Sequence, residues 1–153
     1  MNLSKFTIGF IIVFFATVIG LQFWKYNWPT ATIQLDDEVM NVLVADTNYR
    51  QKKGLGGRES LGEYDGMLFI IYPPHKVPIV MRDMKFAIDV IWLKNGEVVD
   101  IKKNIKPEPD KSEKELTRYK PKKDANAILE VSSGWVKEHN IKIGDQLEIL
   151  KES

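Results

Sequence analysis

Hydrophobic spacing divides the chain into two parts. Residues 6–24, FTIGFIIVFFATVIGLQFW, carry no charge and only Thr7, Thr17 and Gln22 as polar side chains. A run that is apolar on every helical face predicts a helix without a polar side, and its length meets the roughly 20 residues that a membrane-crossing helix needs. Lys5 and the α-amino group precede it, and Trp24, Tyr26 and Trp28 follow, as interface-anchoring residues would. The expectation is a transmembrane signal-anchor. A cleavable signal peptide is the alternative, disfavoured because Pro29-Thr30-Ala31 is a poor cleavage site.

Beyond this run the period falls to two. Residues 31–35 and 39–45 alternate apolar and polar positions and predict strands, with Asp36-Asp37 as their turn. Residues 67–72 are continuously apolar, as a strand covered on both faces would be, and Pro73-Pro74 ends them. Residues 77–84 and 88–94 predict two further strands around Lys85-Phe86-Ala87, and Asn95-Gly96 joins 88–94 to 97–101 as a hairpin. Strands at 127–131 and 146–150 follow a long polar segment. Two short helices complete the pattern: one capped by Asp46 or Thr47 and stopped by Gly54, the other capped by Ser132-Ser133 and running to His139. These elements predict a mainly β (α+β) fold, an antiparallel β-barrel or sandwich with two short helices, preceded by one N-terminal transmembrane helix. The expected divisions are a cytoplasmic N-terminus (1–5), the anchor (6–24), a juxtamembrane linker with the first strand (25–38) and a β domain (39–150), single-pass in the cell membrane with the domain extracytoplasmic.

Charge changes this picture little. Without Lys5 and Lys25 the chain has 20 basic and 21 acidic residues, so no nucleic-acid partner is expected. Residues 102–123 are the local exception, nine basic against four acidic with three prolines, and read as a long surface loop with a helical turn at 112–116. The absence of cysteine removes disulfides, thiol nucleophiles and thiolate metal sites.

Several segments in order, GLGGR (54–58), DGMLFII (65–71), VMRDMKFAIDVIWL (80–93), NGEVVDI (95–101) and AILEVSSGWVKEHNIKIGD (127–145), resemble the bacterial and archaeal domain-of-unknown-function family 192. The resemblance covers residues 39–150 and implies a compact, mostly β fold without an established activity. Two positions depart from the family pattern. Gly56 stands where a Met is usual, which implies a looser packing contact, and residues 79–84 carry an aliphatic residue where the family has Trp.

Asp83 and Asp89 are the sharpest candidates for chemistry, because a carboxylate among apolar strand residues must be paired or open onto a cleft. Arg58 or Arg82 could pair with them bidentately. His75, after two prolines, could titrate near neutral pH, whereas His139 reads as a helix-end residue and Asp65 as a turn residue. Tyr64, Tyr72 and Trp92 could line a shallow ligand groove with these groups. The preferred reading is a binding domain for a small ligand or an envelope or protein partner, with no cofactor and no metal. The alternatives are an envelope-acting hydrolase using Asp83 and Asp89 with His75 in support, and a purely structural module.

Overall fold

The structure, a computed structural model, describes residues 5–26 and 28–152, with side chains described for 7–18, 20 and 28–152. Its elements in chain order are α1 (Lys5–Tyr26), β1 (Thr30–Leu35), β2 (Glu38–Ala45), α2 (Asn48–Lys53), β3 (Gly66–His75), β4 (Ile88–Lys94), β5 (Glu97–Ile105), β6 (Ala125–Ser132), α3 (Trp135–Glu138) and β7 (Leu147–Glu152).

A helix does form in the N-terminal apolar run, but among the described residues no helix is long and apolar enough to cross a membrane. This overturns the expected transmembrane helix at 6–24. Side chains of this helix are described continuously over 7–18. Gly9 and the hydroxyls of Thr7 and Thr17 interrupt that stretch. Residues 1–4 and the side chains of Lys5, Gln22, Trp24 and Tyr26, which carried the rest of that reading, lie outside the described residues. Trp28, expected at an interface, instead packs against the core of the β domain.

The strands form one seven-stranded mixed sheet in the order β5-β4-β6-β3-β2-β1-β7. Its two edges approach where Val98 N donates to Asp145 O at 2.9 Å and Leu147 N donates to Gly96 O at 2.8 Å, which curls the sheet into a half-barrel. This corrects the expected antiparallel barrel or sandwich, because β2 and β3 pair in parallel. Parallel neighbours need a crossover, and residues 46–65, containing α2, supply it. Thr47 Oγ1 accepts from Arg50 N to start α2, and Gly54 at φ 48° ends it. Three helices form among the described residues: α1 in the N-terminal run and α2 and α3 where the two short helices were expected.

Two other elements differ from the period-two reading. Residues 77–84 make no strand; Ile79 bridges Tyr119, and Asp83 turns the chain at φ 55°. Pro73-Pro74 does not end β3, which continues to His75 with a register shift between Ile70 and His75. The apolar residues of 77–84 are nevertheless used: Ile79, Met81 and Met84 are buried against the sheet without pairing to it.

The sheet separates two clusters of side chains. One face holds Met67, Phe69, Ile88, Val90, Trp92 and Ile128; the other holds Leu68, Ile91, Leu93, Leu129, Val131 and Val136. At the start of β3 the strands approach closely, because a Cβ on Gly66 would lie 2.7 Å from the Glu130 carbonyl oxygen. Gly66→Ala should therefore cost about 1–3 kcal/mol by overpacking, read as a lowered urea midpoint; an unchanged midpoint would show that β3 and β6 can separate there without loss.

Candidate functional site

The glycine-rich bend after α2 is fastened to the turn at 81–84. Gly57 N donates to Asp83 O at 2.7 Å, and a Cβ on Gly56 would stand 2.9 Å from the Arg82 carbonyl oxygen. Gly56 therefore marks a close backbone approach, not the looser contact expected from its departure from the family pattern. The bend, the C-terminal end of α2 and residues 77–80 together overhang the first face of the sheet. Beneath them lies a cleft of about 210 Å³. Phe69 and Ile71 from β3, Ile88 from β4 and Ile128 from β6 line its interior, and Lys52, Lys53, Arg82 and Arg118 also border it.

Glu130 lines this cleft as well. It is 5% exposed, and its cross-strand neighbours are Met67 and Val90. Among the described residues its carboxyl has neither a hydrogen bond nor an ion pair. Burial in apolar surroundings disfavours the charged form, and it pushes the Glu130 carboxyl up to about 8. At neutral pH the cleft therefore ends in a neutral acid that can donate one hydrogen bond and accept others. The signal for it was present in the sequence: Glu130 lies two residues after Ile128 in a predicted strand, on the same face.

Asp89 has the opposite environment. It is fully buried, Oδ1 accepts from Asn104 N at 2.7 Å, and Oδ2 accepts from Gly134 N at 3.0 Å and Val136 N at 3.1 Å. These bonds cap α3, whose N-cap residue is Gly134 without a side-chain cap of its own, so Ser132-Ser133 does not perform the expected capping. Asp83 lies elsewhere, in a depression of about 340 Å³ with Arg82, Glu108, Lys111 and Glu113. Arg82 is bound to Glu113 through Nε at 2.6 Å and Nη2 at 2.5 Å. That pairing raises the Arg82 pKa and lowers the Glu113 pKa.

The other sequence candidates are dispersed. Arg58 sits 5.7 Å over the Trp28 ring. Tyr64 packs against the first cluster, while Tyr72 is 91% exposed. Trp92 is 1% exposed and donates Nε1–H to Val77 O at 3.2 Å, so it shares no groove with Tyr72. His75 is exposed, with Nδ1 2.7 Å from Pro73 O. Asp65 Oδ2 accepts from Asn41 N, and His139 stacks on Trp135. Of the candidate site residues named from sequence, Arg82 alone lines the Glu130 cleft. Among the described residues no group of three His, Cys, Asp or Glu side chains comes together as a metal site.

Residues 31–149 match the model of the family DUF192, described as "Uncharacterized ACR". The chain belongs to this family. Two solved structures share its fold. A protein from Sinorhizobium meliloti 1021, provisionally described as a transcription regulator, superposes with a TM-score of 0.72 at 22% identity, over 80% of this chain and 95% of its own. A protein of unknown function from Novosphingobium aromaticivorans DSM 12444 does so with a TM-score of 0.69 at 27% identity, over 78% and 84% respectively. No curated protein matches the chain. For a DUF192 domain these likenesses establish architecture and leave the chemistry to the cleft.

The two aspartates should respond differently to Asn. Asp89→Asn replaces an acceptor oxygen by an amide facing backbone N–H groups and should cost about 2–4 kcal/mol. Asp83→Asn keeps a residue type that tolerates positive φ and should stay within about 0.5 kcal/mol. Parallel urea titrations compare them, and equal losses would contradict the assignment.

Glu130 predicts a pH dependence. Its folded pKa lies above the ordinary 4.5, so between pH 4.5 and 8 the folded state retains a proton that the unfolded state releases. Stability is then fully present below the lower value and falls by up to about 1.4 kcal/mol per pH unit across that window. Glu130→Gln removes the titration, so the variant should gain in Tm relative to the native chain as pH rises from 5 to 8. A constant difference would mean that the carboxyl titrates normally.

Proposed function

We propose that this DUF192 domain is a binding module for a small, largely apolar molecule received in the cleft that ends at Glu130. The observation that carries the reading is the lone carboxyl. No protein group bonds this carboxyl, its oxygens open onto the cleft and are not sealed in the core, and a site for a hydrogen-bonding ligand explains why an acid stands among Phe69, Ile71, Ile88 and Ile128. The volume limits the guest. A cavity of about 150 Å³ accepts benzene and drug-sized pockets begin near 300 Å³, so about 210 Å³ suits a molecule of about eight non-hydrogen atoms.

Hydrolysis is less well supported. The residues lining the cleft include no hydroxyl, thiol or imidazole, and the three backbone donors on Asp89 occupy the carboxylate that the alternative reading needs as acid or base. The protonated Glu130 instead suits a positioning role, donating to a carbonyl or ether oxygen of the guest.

Methyl-detected NMR on the full chain tests this with a library of neutral aromatic and heterocyclic fragments. Binders should shift the methyl signals of Ile71, Ile79, Met84 and Ile88 together, and Glu130→Leu should weaken carbonyl-bearing fragments by roughly 10-fold. If no fragment moves these signals, the domain is a structural module and the binding reading is lost.

A further inference from the structure

We propose that the guest of this cleft is a small organic anion, with its apolar body against the sheet and its charge at Arg118. The proposal rests on the binding reading above and adds the sign of the ligand. Four cations border the cleft, Lys52, Lys53, Arg82 and Arg118. Arg82 is committed: two of its nitrogens donate to Glu113 and Nη1 donates to Lys52 O at 3.1 Å. Arg118 is exposed and close enough to Glu113 to help lower its pKa, but among the described residues its guanidinium makes neither hydrogen bond nor ion pair. Its five N–H donors remain available for an oxyanion.

A second observation points the same way. Arg118 also lines an adjoining depression of about 380 Å³, together with Lys102, Lys120 and Lys122. The acid there, Asp100, directs its oxygens to backbone donors, Oδ1 to Ile101 N at 3.0 Å and Oδ2 to Lys122 N at 2.7 Å. None of the three lysines is ion-paired among the described residues. Arg118 thus stands where two positively charged recesses meet, and such a surface draws anions and repels cations. The interior agrees with the mouth. Glu130 faces Met67 and Val90 across the strands with no charged neighbour among the causes of its shifted ionisation, and as a neutral acid it can donate to a guest oxygen without repelling its charge.

A matched trio of benzoate, benzyl alcohol and benzylamine tests the sign, titrated into the full chain at pH 7 and low ionic strength with the Ile71, Ile79 and Ile88 methyl signals as readout. Benzoate should bind at least roughly 10-fold more tightly than benzylamine. Arg118→Gln, an exposed change that should leave folding intact, should weaken benzoate by roughly 5-fold or more and leave benzyl alcohol unchanged. Binding of benzyl alcohol with benzylamine equal to or tighter than benzoate, or indifference of benzoate to Arg118→Gln, overturns the anion assignment while the binding module stands. Silence of all three overturns both.

Discussion

The fold depends on one buried carboxyl group. Asp89 lies near the start of β4, beside the edge strand β5, fully enclosed, and its oxygens collect three backbone N–H groups from segments far apart in sequence: the end of β5 at Asn104, and Gly134 and Val136 at the start of α3. Those donors have no sheet or helix partner of their own at these positions, and the first N–H groups of any helix need an acceptor. α3 is only four residues long and could not persist by intrinsic propensity. Asp89 gives it a fixed start, and Val136 and Ile141 can then complete the second cluster.

The same sheet carries a second buried acid one strand away, and the pair shows what each face is for. Asp89 is opposite Val131 and Glu130 is opposite Val90, so the period-two pleat points the two carboxyls to opposite sides. On one side the carboxylate accepts three backbone N–H bonds, and the group is a fastener. On the other the carboxyl meets only apolar neighbours and a cleft. Burial alone therefore does not separate structure from function here; the inventory of partners does. A fully satisfied buried acid holds the fold, and an unsatisfied one facing open volume is the better place to look for a ligand.

Much of the architecture was legible in the residues. The Asn95-Gly96 hairpin, the apolar run of β3, and α2 between Thr47 and Gly54 follow from turn chemistry and local capping. What failed did so where local pattern and tertiary role diverge. Ile79 and Met81 are spaced as in a strand, but Pro78 and the positive φ of Asp83 break that spacing before Met84 and make all three plugs laid over the sheet. The parallel pairing of β2 with β3 depends on where the crossover lands, which no pair of neighbouring residues encodes. The N-terminal run has the composition of a spanning helix, but among the described residues no helix is long and apolar enough to cross a membrane. Glu130 is masked in the sequence because it alternates with Leu129 and Val131, a spacing that reads as a solvent-facing strand position.

The long segment between β5 and β6 explains how charge can be held at the mouth of the cleft. Its sequence is that of a solvated loop, but the structure anchors it at many points. Leu116 and Pro121 are buried, Ile79 and Tyr119 exchange backbone hydrogen bonds at 2.9 Å, and Ser112 and Glu115 close a single capped turn. Glu108 accepts from Lys111 and from the Thr117 hydroxyl and amide, and these contacts hold its carboxyl down at about 2. The acids of the segment are thus largely drawn into its own bonds and into Arg82. Apart from the exposed Asp110 and Asp124, what remains unpaired is positive, and it is carried by a loop whose backbone is fixed on both sides of Arg118. A freely moving loop would spread those cations through solvent, where screening over a Debye length of ~10 Å would blur them. A fixed one places them beside an opening whose far end is a neutral acid, and that combination selects for the sign of a guest.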